Sequence, residues 1–157
     1  MKNPLPVQAF SVEPNSKNSN YPEPFASRVG KRTKRRLGDV FGLENFGVNI
    51  TELAPGAMSA LKHAHTVQDE FVYVVQGTVT MVVGDAEYQL VSGDCIGFRA
   101  GTGVAHHLIN RSDEPARFLE VGDRTAGDEV SYPNDDLQAR YAESVGWRFF
   151  HRDGTEY

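Results

Sequence analysis

The sequence predicts an all-β chain, a sandwich or closed barrel of short strands, and three observations carry that expectation. Short runs of β-branched and aromatic residues recur, among them Asn49 to Ala54 and Phe71 to Val75. Residues alternate with a period of two, as Val79, Met81 and Val83 do against Thr78 and Thr80, which suits half-buried strands. Turn signals punctuate the runs: Pro55-Gly56, Gly84-Asp85 and Ser92-Gly93. With 157 residues, the chain supports one core. It divides into an arm (1–36), a barrel (37–125) and a C-terminal extension (126–157).

Residues 1–30 are rich in Pro, Asn and Ser, with Pro22-Glu23-Pro24 in their middle. Phe10, Tyr21 and Phe25 favour docking of this arm over free motion, on its own barrel or on a neighbouring subunit. The run Lys31-Arg32-Thr33-Lys34-Arg35-Arg36 follows, basic but for Thr33. As an edge strand or solvated loop it would discourage edge pairing; as an anion site it would grip a substrate phosphate. A net charge of −5 and so small a basic patch argue against a nucleic-acid partner.

From Leu37 to Val121 the pattern is strands and tight turns. Gly84-Asp85 reads as a hairpin turn, and Ile96 and Phe98 share a face. The single cysteine, Cys95, is expected to be a buried, inert thiol. Asn110-Arg111-Ser112 and Asn49-Ile50-Thr51 are sequons without meaning in a cytosolic chain. Asp135 to Ser144 is expected to form a short helix capped by Asn134 or Asp135. Trp147-Arg148-Phe149-Phe150 reads as a last strand whose aromatics seal the barrel or a dimer face. No segment has the length of a membrane span. Met1 to Pro6 carries no signal-peptide pattern, so a cytoplasmic protein is expected.

The chemistry concentrates between Gly56 and Asn110. His63 and His65 stand at the spacing that places two side chains on one face of a strand. Glu70 shares a face with Val72 and Val74, and a carboxylate among apolar neighbours needs a metal or a cationic side chain as partner. Imidazole and carboxylate together suit iron, manganese, nickel or zinc better than calcium. Four such ligands leave positions open for substrate, as a catalytic site requires.

Here the chain resembles the cupin superfamily. Gly56, His63, His65, Glu70 and Gly77 follow its first motif, with one extra residue between Gly56 and His63. Gly93, Gly103, His106 and Asn110 follow the ends of its second; Arg99 stands where proline is usual, and the Gly101-Thr102-Gly103 turn is two residues longer. The resemblance implies a double-stranded β-helix, or jelly-roll barrel, holding one divalent transition metal on His63, His65, Glu70 and His106. His106 takes the last ligand position by its spacing from Asn110, which leaves His107 facing away from the metal.

By parity with these ligands, Leu61, Val72, Val74, Leu108 and Asn110 would line a mostly apolar pocket. The resemblance also implies a metal-dependent enzyme on a small polar metabolite, foremost a sugar-phosphate isomerase. Its alternatives are a non-haem iron dioxygenase and a non-catalytic metabolite sensor. Neither Glu70 nor His107 is a strong candidate for the proton-moving base. Cupins commonly pair through their sheets, so a homodimer is expected.

Overall fold

The computed structural model of the chain describes residues 4–15, 19–142 and 145–157. Residues 1–3, the start of the segment read for a signal peptide, lie outside it, as do Glu143 and Ser144 at the end of the expected helix. Strands dominate: β1 (Arg32–Arg36), β2 (Phe46–Leu53), β3 (Ala64–His65), β4 (Glu70–Gln76), β5 (Thr78–Val83), β6 (Ala86–Val91), β7 (Cys95–Phe98), β8 (His106–Ile109), β9 (Ala116–Asp123), β10 (Glu129–Tyr132), β11 (Leu137–Ala142) and β12 (Gly146–Phe150). One wall is the sheet β1-β2-β9-β4-β7. Opposite it stand β6-β5-β8 and β12-β11-β10-β3. An isolated bridge between His63 and His106 joins these last two sheets. All named pairings are antiparallel, and the whole is a cupin-type β-barrel.

The alternation seen in the sequence sets the inside of the barrel. Leu53, Val72, Val74, Val79, Met81, Leu108 and Phe118 form its main core. Each large side chain there contributes about 1.5–3 kcal/mol relative to exposure. Gly77, between β4 and β5, adopts φ +82° and abuts Pro115 and Ala116; a Cβ there would lie 3.0 Å from the Pro115 carbonyl oxygen. Only glycine meets both demands.

The arm docks, as its aromatics suggested. Phe25 and Val29 are buried with Leu61, Val130, Tyr132, Leu137 and Ala139 in a second core. Tyr21 meets Tyr132 and Phe149 edge to face. Phe10 stays half exposed, with the Arg117 guanidinium 4.8 Å above its ring.

Two expectations are overturned. The expected helix at Asp135–Ser144 is strand β11 over Leu137–Ala142, paired with β10 and β12. Leu137 and Ala139 are buried while Gln138 and Arg140 point outward, a period of two that outweighs the helix propensity of those residues. Cys95 is exposed. It opposes Tyr73 on the outer side of β7, because Ile96 and Phe98 turn inward.

Candidate metal centre and its cavity

Of the four expected ligands, His63, Glu70 and His106 form one tight group, and His65 stands at its edge, in reach of Glu70 only. His63 and His106 are tied backbone to backbone, N–H to carbonyl, at 3.1 and 2.8 Å across the seam between the two sheets. That reciprocal pairing sends both rings to the same side. Glu70 opens β4, and His65 sits on β3. Around Glu70 Oε2 stand His106 Nε2 at 2.9 Å, His63 Nε2 at 3.5 Å and His65 Nε2 at 3.6 Å. The ligand atoms of His63, Glu70 and His106 all lie within 4.8 Å of one another.

Each ring is held from behind. His63 Nδ1 donates to the Leu61 carbonyl at 2.7 Å, and His106 Nδ1 faces the Val104 carbonyl at 3.3 Å. His65 Nδ1 meets Asp128 Oδ2 at 2.5 Å. Phe98 stacks flat on His106 with centroids 3.5 Å apart. A carbonyl only accepts, so those Nδ1 atoms carry the protons and the neutral rings present Nε2 lone pairs. Three lone pairs then face one carboxylate oxygen, an arrangement that a bound cation satisfies, or a proton taken up by one of the rings. The donor set therefore fits a divalent transition metal.

The electrostatics agree. Burial pushes the Glu70 carboxyl up, but hydrogen bonds from the His106 and His63 rings and the charges of His63 and His65, which these rings supply when protonated at Nε2, hold it well below the usual carboxylate range. Burial lowers His65, yet the bond to Asp128 and the nearby Glu70 outweigh it and raise its pKa.

Asp128 went unnoticed in the sequence. It is buried and caged: Oδ1 accepts from the backbone N–H groups of Thr66 at 3.0 Å, Val67 at 2.8 Å and Gln68 at 3.3 Å. Burial raises its pKa, and the bonds from His65 and this cage bring it below the ordinary value. Nothing in the sequence marks a lone acid 63 residues from its partner.

The centre opens on a cavity of about 290 Å³. The apolar lining expected by parity holds only in part. Val72 and Leu108 reach it, but Val74 belongs to the main core and Leu61 to the second. Asn110 is fully buried, its side-chain amide donating to the Leu53 and Glu114 carbonyls at 2.9 and 2.8 Å. Polar groups continue the lining along the sheet that carries Glu70: Arg32, Lys34, Asn49 and Glu120, with Tyr21 from the arm. They come from β1, β2 and β9, so parity with the ligand strands could not find them. Lys34 forms an ion pair with Glu120, and Asn49 Nδ2 donates to Glu120 Oε1 at 3.2 Å. His107 borders the cavity, its Nδ1 held by the Ala60 carbonyl at 3.0 Å. Burial of Tyr132, with its bond to Tyr21, raises its phenol well above the usual value.

A family model described as a cupin domain matches residues 49–122. A sugar phosphate isomerase of the cupin superfamily from Silicibacter pomeroyi superposes with a TM-score of 0.91 at 38% identity, over 98% of this chain and 96% of that one. The chain belongs to the cupin superfamily. A second cupin-like structure, provisionally named a sugar phosphate isomerase, from Acidithiobacillus ferrooxidans, matches at 29% identity with a TM-score of 0.71, over 80% of each chain. The polyketide cyclase RemF from Streptomyces resistomycificus shares this cupin's fold, at 20% identity and a TM-score of 0.63 over 77% of this chain and 80% of its own. No curated protein matches in sequence. Among the described residues no helix is long and apolar enough to cross a membrane.

Proposed function

We propose that this cupin is a metal-dependent isomerase of a sugar phosphate, with His63, His65, Glu70 and His106 as the ligands of one divalent transition metal. The observation that supports it best is the pairing of two unlike walls in one cavity. The imidazole–carboxylate cluster and the cationic Arg32 and Lys34 border the same cavity, Glu70 on β4 and the two cations on β1, three strands along the same sheet. A phosphorylated hydroxy-carbonyl compound has two ends that match those walls. The similarity to the Silicibacter protein points the same way.

A metal on these ligands would polarise the carbonyl and hydroxyl oxygens of the substrate. The chain does the rest. Asp128 fixes the His65 ring and its tautomer. Phe98 and Tyr132 pack on His106 and His63. Arg32 and Lys34 give the phosphate charge-assisted hydrogen bonds. Lys34 has three N–H donors, so it can serve Glu120 and a phosphate together. Tyr21 and Tyr132 keep their protons and act as donors.

Exchange of substrate protons with solvent tests this reading. The metal-loaded protein, given aldose and ketose phosphates in deuterium oxide, should label one carbon-bound position stereospecifically and stop after chelation. No labelling of any phosphorylated sugar, or ferrous-dependent oxygen uptake instead, overturns it.

A further inference from the structure

Two acids face the cavity, Glu70 and Glu120. Glu70 is committed to the histidine cluster. Glu120 is bonded to Lys34 and Asn49 instead, and the sheet places it beside that cluster. On β9, Gly122 lies opposite Glu70 and Glu120 lies opposite Val72. Glu120 is thus the diagonal cross-strand neighbour of Glu70, a relation that separates residues by about 7–8 Å. Gly122 has no side chain, and a Cβ there would meet nothing within 4 Å. Open space therefore borders both carboxylates. Glu120 is also held in place, by the Lys34 ammonium and by Asn49 Nδ2. Of the other groups on this cavity, the Tyr21 and Tyr132 phenols are pushed up by burial and keep their protons, and His107 is tied through Nδ1 to the Ala60 carbonyl on the β8 side, which leaves its Nε2 as the one competing base.

We infer that Glu120 is the general base of the isomerisation, an inference that rests on the isomerase reading above. Its carboxylate takes the proton from the hydroxyl-bearing carbon next to the aldehyde. The C–H electron pair becomes the carbon–carbon double bond of an enediol, and the carbonyl oxygen takes up charge and then a proton. The second hydroxyl then gives up its proton as its carbonyl forms. The electron pair of the double bond takes the proton of Glu120 onto the former aldehyde carbon. An aldose phosphate has become a ketose phosphate with no net gain or loss of atoms or electrons. One carboxylate serving both carbons makes the exchanged proton the shared one, which gives the step a signature in solvent isotope exchange.

The test compares wild type, Glu120→Gln and Glu120→Asp. Aldose phosphates of three to six carbons in deuterium oxide are the probes. Metal content, thermal melting and KM are measured beside exchange. Glu120→Gln keeps the shape of the side chain and an acceptor for Asn49, so metal content and KM should hold while exchange and kcat fall by about 10²–10⁴-fold. Glu120→Asp should recover part of the loss. Exchange at the wild-type rate in Glu120→Gln overturns the assignment. So does loss of metal or of the folded state in both variants, which would make Glu120 a structural partner of Lys34. A wild type that exchanges none of these sugars overturns the isomerase reading, and the role of Glu120 falls with it.

Discussion

The two walls of the cavity are built in opposite ways. The metal-side wall comes from His63, His65, Glu70 and His106, on β3, on β4, on β8 and beside a one-residue bridge. Its geometry is local: two residues of parity, one short loop, one reciprocal backbone pair. The charged part of the lining is assembled from β1, β2 and β9, the strands that run on from β4 in the same sheet, and it comes together through sheet register. Lys34 lies opposite Thr51, and Asn49 opposite Glu120. One is the proposed ligand set, with little freedom, each ring clamped at Nδ1. The other is a set of paired charges at the rim of an open cavity. Rigid walls suit coordination, which tolerates little displacement, whereas a charged rim suits a phosphate that must enter and leave.

If that division is right, the largest effect comes from breaking the clamped wall. His106→Ala should reduce bound metal from a full equivalent to background, measured by elemental analysis of freshly purified protein. Exchange activity should vanish with it, while strand content by circular dichroism stays. A variant that keeps its metal would show that His106 is packed against Phe98 for structure alone.

Asp128→Asn is the next largest. The new amide oxygen can still take the N–H donors of Thr66, Val67 and Gln68. Its NH₂ then faces His65 Nδ1 and drives the proton to Nε2, the atom that should bind metal. Loss of such a partner typically weakens metal affinity by about 10–100-fold. Competition with a chelator would read that shift, and unchanged affinity would reduce Asp128 to a loop brace.

How far each wall was legible in the sequence follows from the same contrast. The His63–His65 pair was visible by strand parity, and Glu70 and His106 through the short spacings of the cupin motifs they match, which act within a few residues. The basic run was visible as a run and as an edge strand. That its alternate members Arg32 and Lys34 border the cavity depends on register with β2, which no local pattern encodes. Glu120 and Asp128 were invisible for that reason. Cys95 could have been read correctly, since inward Ile96 and Phe98 force it out. So could β11: Leu137 and Ala139 already alternate with Gln138 and Arg140, and helix formers at those positions drew attention away from the period.

The smallest effect should come from the charged wall. Arg32→Met keeps the aliphatic stem and removes the guanidinium. A charge-assisted hydrogen bond to phosphate contributes about 1.5–3 kcal/mol. Arg32 keeps part of its surface open to water, so the lower end applies, a rise in KM of roughly tenfold. Metal content should not change, because Arg32 lies on β1, three strands away from Glu70 in the sheet. The same sugar without its phosphate should show no difference between variant and wild type. An equal rise in KM for both sugars would mean that Arg32 shapes the cavity and leaves the phosphate to other residues. A loss of metal would couple the two walls, and the division drawn between them would fail.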